Sequence, residues 1–229
     1  RRDASRDSRA PSTRLIRAMG EMQDPRFTAG LAGFAKGGNG KASLAAIAAL
    51  GQSGDPAAAE PLASIATSES SDLAKPAATA LQALGEALLY EGKAEASAVF
   101  ALALSAAADQ QAGPASDAAR CAAIEGLGAA GDLPRVEAAL AGPGKTAALR
   151  AMVLIADRRL GDGDAVGAAE LYRRVLGSPE DEVATLRAIA GCGRARDEEA
   201  VEAIGGLIEE GSPRVRSAAI AALREVPGP

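Results

Sequence analysis

Residues 44–66, which read LAAIAALGQSGDPAAAEPLASIA, carry the pattern that decides the fold. Leu44, Ile47 and Leu50 recur every three residues, which places them on one face of a helix. Gly51 follows directly, and a glycine there is typical of a left-handed residue that ends a helix. The second half of the stretch is again rich in Ala and Leu, which favour helix. The stretch therefore predicts a helix, a tight turn and a second helix.

An aspartate stands four residues after this glycine, and Pro56 follows it. A short carboxylate caps a helix by accepting a hydrogen bond from its free N–H groups, and proline is well tolerated at the first helical position. The same residue recurs at the same offset in four places: Asp24, Asp55, Asp132 and Asp197. We interpret these aspartates as N-caps of second helices and not as catalytic acids.

The pattern repeats along the chain. Its frame points are the glycines at 20, 51, 85, 128, 161 and 193, followed by Arg224, at intervals of 31, 34, 43, 33, 32 and 31 residues. Five residues before the last six points stand Ala46, Ala80, Ala123, Ala156, Ala188 and Ala219, and one residue before them stand Leu50, Leu84, Leu127, Leu160, Cys192 and Leu223. A period of this length indicates a solenoid whose helix pairs stack on their neighbours.

The sequence thus predicts an all-α fold, a right-handed α-solenoid of about six to seven stacked helical hairpins. The units lie near 14–36, 41–67, 74–108, 117–142, 146–177, 182–210 and 213–226. An Arg-rich arm or linker over 1–13 precedes them, and 227–229 form a tail. Residues 1–17 carry a net charge of +4 in a chain whose total is −5. Such an arm suits an anionic surface, but a solvated tail is favoured because the body is acidic.

Composition excludes several kinds of site. The chain has no histidine, which removes imidazole bases and imidazole metal ligands. Cys121 and Cys192 occupy apolar positions of the repeat frame, so we expect two buried core residues and neither a disulfide nor a metal pair. No apolar run is long enough for a membrane span, and cysteine usage leaves the compartment open.

Two motifs suggest a cofactor but lack required parts. Gly142–Thr146, GPGKT, resembles a phosphate loop, yet its first glycine is missing because position 139 is Ala. Asp162 and Asp164 in GDGD lack the further oxygen ligands of a calcium loop, so they are predicted to end one helix and cap the next. We expect no nucleotide, no metal and no other cofactor.

Two segments carry a family resemblance. AAIAALGQSGDPAAAEPLASIA (45–66) resembles the bacterial HEAT-like repeat, the type first associated with phycobilin lyase subunits. SPRVRSAAIAAL (212–223) is similar to the entry of that repeat, Pro-x-Val-Arg-x-x-Ala. The segments 84–104 and 156–176 partly resemble tetratricopeptide repeats, with Tyr172 at the aromatic position, but neither keeps that spacing. The HEAT-like resemblance covers about 14–226.

Second helices usually line the concave side of such an array, so their outward residues are the candidate binding site. These are Arg135, Glu137, Glu170, Tyr172, Arg173, Arg174, Glu198 and Glu202. Tyr172 with Arg173 and Arg174 forms the first choice, because interface hot spots favour Tyr and Arg. The alternative is that these are ordinary solvated helix faces and that Tyr172 fills a gap in the core. The loop 109–117 and the arm are the other irregular segments.

The function that follows is a non-catalytic protein–protein interaction scaffold, part of a larger bacterial protein and bound to a protein partner. The HEAT-like resemblance implies one alternative, a subunit of a bilin-lyase-type enzyme, but the chain lacks histidine and is only 2% aromatic. Nucleic-acid binding is the other alternative, and the acidic body makes it the less favoured one.

Overall fold

The computed structural model of the protein describes residues 13–37, 40–68, 71–109 and 113–226. These ranges are helical and contain no strand, which confirms the all-α prediction. Most of the arm, residues 110–112 of the predicted loop and the tail lie outside the described residues. None of the described helices is long and apolar enough to cross a membrane.

The helices alternate along the chain with short turns. They are α1 (Thr13–Glu21), α2 (Thr28–Gly37), α3 (Gly40–Gln52), α4 (Ala59–Ala66), α5 (Ser71–Tyr90), α6 (Ala96–Asp109), α7 (Pro114–Ala130), α8 (Leu133–Ala139), α9 (Lys145–Gly161), α10 (Ala165–Leu176), α11 (Glu182–Ala195), α12 (Val201–Glu210) and α13 (Pro213–Leu223). Single 3₁₀ turns, Pro25–Phe27, Pro56–Ala58 and Glu198–Ala200, lead into α2, α4 and α12.

The chain forms two compact units, residues 1–123 and 124–229, and the boundary falls inside α7. In the first unit α3 packs against α1 and α5, while α2 contacts α3 and α4 contacts α5. In the second unit α11 packs against α9 and α13, while α10 contacts both α9 and α11. In each unit, therefore, a helix packs mainly against its neighbours in the chain.

The aspartates four residues past the frame points cap helices, as predicted. Oδ1 of Asp55 accepts a hydrogen bond from the Ala57 N–H at 3.0 Å, and Asp24, Asp132 and Asp197 make the equivalent bond. Asp164 caps α10 in the same way, as the GDGD interpretation requires. Each cap satisfies an N–H group that a helix leaves without a partner at its N-terminus.

The frame glycines, however, are not the left-handed residues that the sequence predicts. Gly20, Gly51, Gly128 and Gly193 lie inside α1, α3, α7 and α11. The positive φ angles occur three residues later, at Gln23 (49°), Gly54 (62°), Gly131 (82°) and Arg196 (53°). That expectation is therefore wrong at these four points, where the helix runs on past its frame glycine and another residue makes the left-handed turn. Gly161, in contrast, is the last residue of α9, although its own φ is not positive.

Gly20, Gly51 and Gly128 instead allow helices to approach closely. A methyl group on Gly20 would lie 2.6 Å from Cβ of Ala49, and one on Gly128 would lie 2.6 Å from Cβ of Ala151. On Gly51 it would lie 2.9 Å from the Ala80 carbonyl oxygen. These separations are shorter than van der Waals contact, so any larger residue would push the neighbouring helix away.

The core consists mainly of Ala, Leu and Ile, and the six frame alanines are all buried. Cys192 is buried, as predicted. Cys121 is only half-buried, and Leu44 is 43% exposed, so the expectation that both positions belong to the core is wrong. Both stand seven residues before a frame glycine, a position that the helix turns partly toward solvent.

Candidate functional site

The outward face of α10 carries three of the predicted binding residues together with Val166. Val166, Glu170, Arg173 and Arg174 recur at spacings that place them on one side of the helix. The opposite side, including Leu171 and Val175, is buried. Glu170 and Arg174 are exposed and Val166 is 74% exposed, so α10 presents a mixed apolar and charged stripe.

Tyr172 lies on the buried side of α10. Its exposed fraction is 0%, and its hydroxyl group donates a hydrogen bond of 2.6 Å to Oδ1 of Asp157. The ring lies on the backbone of Gly191, where an added methyl group would be only 2.3 Å from Cζ. Burial raises the pKa of Tyr172, and the hydrogen bond to Asp157 raises it further. The expectation of an exposed aromatic anchor is therefore wrong, and Tyr172 fills the core.

Asp157 collects hydrogen bonds from three side chains. Besides Tyr172, Nη2 of Arg194 donates to Oδ1 at 2.8 Å and Nη2 of Arg187 donates to Oδ2 at 2.6 Å. Burial acts to raise the pKa of Asp157, but the hydrogen bonds from Tyr172, Arg187 and Arg194 outweigh it and hold that pKa below its ordinary value. This cluster joins α9, α10 and α11.

The sequence analysis missed Asp157, although the repeat frame contains the signal. Four residues before the frame point the other first helices carry an aliphatic residue: Ile16, Ile47, Leu81, Ile124, Ile189 and Ile220. In α9 that position is Asp157. A carboxylate at an otherwise aliphatic position needs hydrogen-bond donors, because an unpaired buried charge is costly. Tyr172, Arg187 and Arg194 supply them.

The other predicted residues fall into two groups, those that form an ion pair and those that form none with a described residue. Arg174 of α10 forms an ion pair with Glu137 of α8, and Arg135 forms a local pair with Asp132. Arg173 forms ion pairs with Asp197 at 2.7 Å and with Glu199 at 2.9 Å. The remaining three predicted residues are exposed and form no ion pair with any described residue: Glu170, Glu198 and Glu202.

The segment from the end of α11 through α12 carries an acidic face. Between Arg196 and Arg214 the sequence has six acidic residues and no basic residue: Asp197, Glu198, Glu199, Glu202, Glu209 and Glu210. On α12 the last three are exposed. Among described residues only Asp197 and Glu199 have a basic partner, and both share Arg173. The field over this face is consequently negative.

A pocket of about 320 Å³ opens where α10 meets the start of α12. Its walls include Val166, Arg173, Arg196, Asp197 and Glu199. The Asp197 side chain is only 5% exposed. Its Oδ1 accepts hydrogen bonds from Nη1 of Arg173 and from the Glu199 N–H, whereas its buried Oδ2 has no partner among the described residues. An unpaired buried oxygen is rare and calls for an explanation.

Three observations bear on chemistry. The described residues contain no group of three or more His, Cys, Asp or Glu side chains placed to hold a metal ion. Lys145 of the GPGKT segment begins α9 and forms an ion pair with Glu180. Burial raises the pKa of the Cys192 thiol to about 12, and the charge of Asp197 adds to that effect. Since thiolate is the reactive form, Cys192 is an unreactive core residue.

The first unit also has exposed apolar residues that the sequence analysis did not identify as candidates. Tyr90, at the end of α5, is 94% exposed. Leu44, Ile47 and Pro76 line an apolar groove between α3 and α5.

The HEAT-like resemblance stays a prediction, because the sequence matches no model of a known protein family and a search of curated proteins finds no relative.

Proposed function

We propose that this protein is a non-catalytic protein-interaction scaffold, in which HEAT-like helix pairs stack in a right-handed array and present their second helices to a partner. Support comes from the order of packing, since α1, α3 and α5 pack in turn in the first unit, and α9, α11 and α13 pack in turn in the second. Close Gly–Ala approaches recur in both units, as at Gly20 and Gly128, which is what a repeated stacking geometry requires. The proposal includes membership of a larger bacterial protein.

The observation that carries the proposal is the fixed charge on the surface of α8, α10 and α12. Arg174 is tied to Glu137 of α8, and Arg173 is tied to Asp197 and Glu199 at the entry to α12. Ion pairs between helices hold these side chains in defined positions before any partner arrives. A preorganised surface loses less conformational entropy on binding, which favours affinity.

The charge of this surface indicates the partner. The acidic residues of α12 have no cation to balance them among the described residues, so a basic segment of a protein gains most from docking there. Exposed Val166 adds an apolar contact beside the charges. We therefore expect a partner segment that combines Lys or Arg with aliphatic residues.

The test selects peptides from a random display library against the intact chain and measures their affinity by calorimetry. Selected peptides should be basic. Glu202→Lys should weaken their binding by about tenfold, or about 1.4 kcal/mol. Glu86→Lys is the matched control, because Glu86 is also exposed on a helix but belongs to the first helix α5, and its binding should equal that of the wild type.

Two results would overturn the proposal. One is a library that yields no binder, and the other is a set of binders that Glu86→Lys weakens while Glu202→Lys does not. A bilin or a nucleic-acid duplex that binds the chain more tightly than every selected peptide would favour the corresponding alternative function instead.

A further inference from the structure

The carboxylate of Asp197 has one oxygen, Oδ2, without a partner among the described residues. Oδ1 accepts from the Glu199 N–H at 3.2 Å and from Nη1 of Arg173 at 2.7 Å, so this oxygen explains the capping role. Oδ2 is buried and accepts no hydrogen bond from a described residue. A buried acceptor left unpaired destabilises the fold, and more so when it is charged. Capping uses only Oδ1, so it does not explain why Oδ2 is buried without a partner.

The surroundings of Oδ2 favour a cation. The pocket wall holds three acidic residues, Asp197, Glu198 and Glu199, against two basic ones, Arg173 and Arg196. Nη1 of Arg173 already bridges Asp197 and Glu199. Glu198 has no ion pair with a described residue. The pocket therefore has more carboxylate than its own guanidinium groups balance.

The pocket also has an apolar wall. Ala165, Val166 and Ala169 of α10 line it together with the carboxylates. A pocket that combines apolar residues with carboxylates matches a long side chain that carries its charge at the tip, because Lys and Arg bury their methylene stem along apolar surface. A simple ion would leave the aliphatic wall without a contact.

We propose that the pocket between α10 and the start of α12 receives a Lys or Arg side chain of the protein partner, with Asp197 Oδ2 and the neighbouring glutamates as acceptors. The proposal rests on the scaffold function and names the contact that gives it specificity. Arg173 keeps its ion pair with Oδ1 of Asp197, so Oδ2 is the oxygen left for the incoming cation. The Glu199 side chain is 79% exposed and can turn toward that cation without movement of a helix.

The test titrates the intact chain with blocked tripeptides of the form Gly-X-Gly and follows the backbone amides by proton–nitrogen NMR. X is lysine, arginine or norleucine, which has a similar apolar stem without the charge. The lysine and arginine peptides should shift the amides of 195–200 and saturate, whereas the norleucine peptide should leave them in place.

Two variants locate the site. Asp197→Asn keeps a capping oxygen, since Asn caps helices as well as Asp does, but it removes the charge, and it should weaken the lysine peptide by at least about tenfold. Glu199→Gln changes a mostly exposed side chain with little risk to folding and should weaken the peptide in the same direction. Glu86→Gln is the matched control: it removes one exposed charge from α5, outside the pocket and outside the acidic face, and should bind as the wild type does.

The proposal is overturned if the norleucine peptide causes the same shifts, if Asp197→Asn binds unchanged, or if no saturable shift appears. It is also overturned if magnesium chloride alone shifts the same amides and displaces the lysine peptide, because the site then takes a metal ion. If display-selected peptides bind Asp197→Asn as they bind the wild type, the pocket proposal is wrong and the scaffold proposal stands. If the lysine tripeptide shifts the amides but the library yields no binder, the scaffold proposal is wrong and the pocket proposal stands.

Discussion

At the scale of single residues, Gly191 controls how α10 packs on α11. A methyl group there would lie 2.3 Å from Cζ of Tyr172, whose ring is enclosed and cannot move outward. We expect Gly191→Ala to lower the free energy of unfolding by about 1–3 kcal/mol, the usual cost of overpacking a core. Urea denaturation followed by far-UV circular dichroism measures it.

Gly206→Ala is the matched control for that change. Gly206 is also helical, but it is exposed and nothing lies within 4 Å of the added methyl group. Alanine is the better helix former, so this variant should gain about 0.5–1 kcal/mol. If both variants were equally stable, the close contact between Gly191 and Tyr172 would not exist in solution.

Arg196 is a second residue whose identity conflicts with its backbone. It adopts φ 53° and ψ 44° at the end of α11, a left-handed conformation that costs a residue other than glycine about 1–2 kcal/mol. Arg196→Gly should therefore raise the free energy of unfolding by about 1 kcal/mol. Gly131→Ala, at φ 82°, should lower it. Thermal and urea denaturation should show changes of opposite sign in the free energy of unfolding of the two variants. Changes of the same sign would contradict the left-handed conformation at these two residues.

The frame glycines and the helix caps show which features of the fold can be predicted from the sequence. Caps such as Asp55 depend on residues two or three positions away, so the sequence predicts them correctly. The role of Gly20 depends on Ala49, which is distant in the chain and comes near only through packing. Glycine serves both as a helix end and as a close contact, and its spacing along the chain does not separate these two roles.

At the scale of helices, the Asp157 cluster ties three elements together and gives them a pH dependence. The pKa of Asp157 in the folded protein lies below its ordinary value of 3.8. The folded state thus binds fewer protons than the unfolded state, and the resulting stability is present above pH 3.8 and lost as the pH falls through the lowered pKa.

Asp157→Asn tests this contribution. The variant should be less stable than the wild type at neutral pH, and the difference should shrink in acid as the wild-type carboxylate takes up a proton. The measurement is the free energy of urea unfolding as a function of pH. A difference that stays constant from neutral pH into strong acid would show that Asp157 contributes through packing and not through its charge.

The same cluster explains why the sequence misplaced Tyr172. Tyr and Arg are common at interfaces, and the run Tyr172–Arg174 therefore suggested one exposed group. Three consecutive helical residues point in directions about 100° apart, so they seldom share one face. Asp157 at an aliphatic position and Gly191 opposite the ring are the two signs that Tyr172 turns inward. The charged candidates Arg174 and Glu137 do meet on the surface.

At the scale of the whole molecule, each helix contacts mainly its neighbours in the chain, so a local defect should stay local. Hydrogen exchange followed by mass spectrometry tests this. Gly191→Ala should speed amide exchange in α10 and α11 and leave α3 and α5 at the wild-type rate. An equal rise in all four helices would mean that the chain opens as a single cooperative structure.

The two tyrosines give the molecule an optical asymmetry. The chain has no tryptophan, Tyr172 is enclosed in the second unit, and Tyr90 is 94% exposed in the first. Unfolding transfers the Tyr172 ring from protein to water but leaves the surroundings of Tyr90 nearly unchanged. Tyrosine absorbance and fluorescence will therefore follow the melting of the second unit, and the first unit will unfold almost silently at those wavelengths.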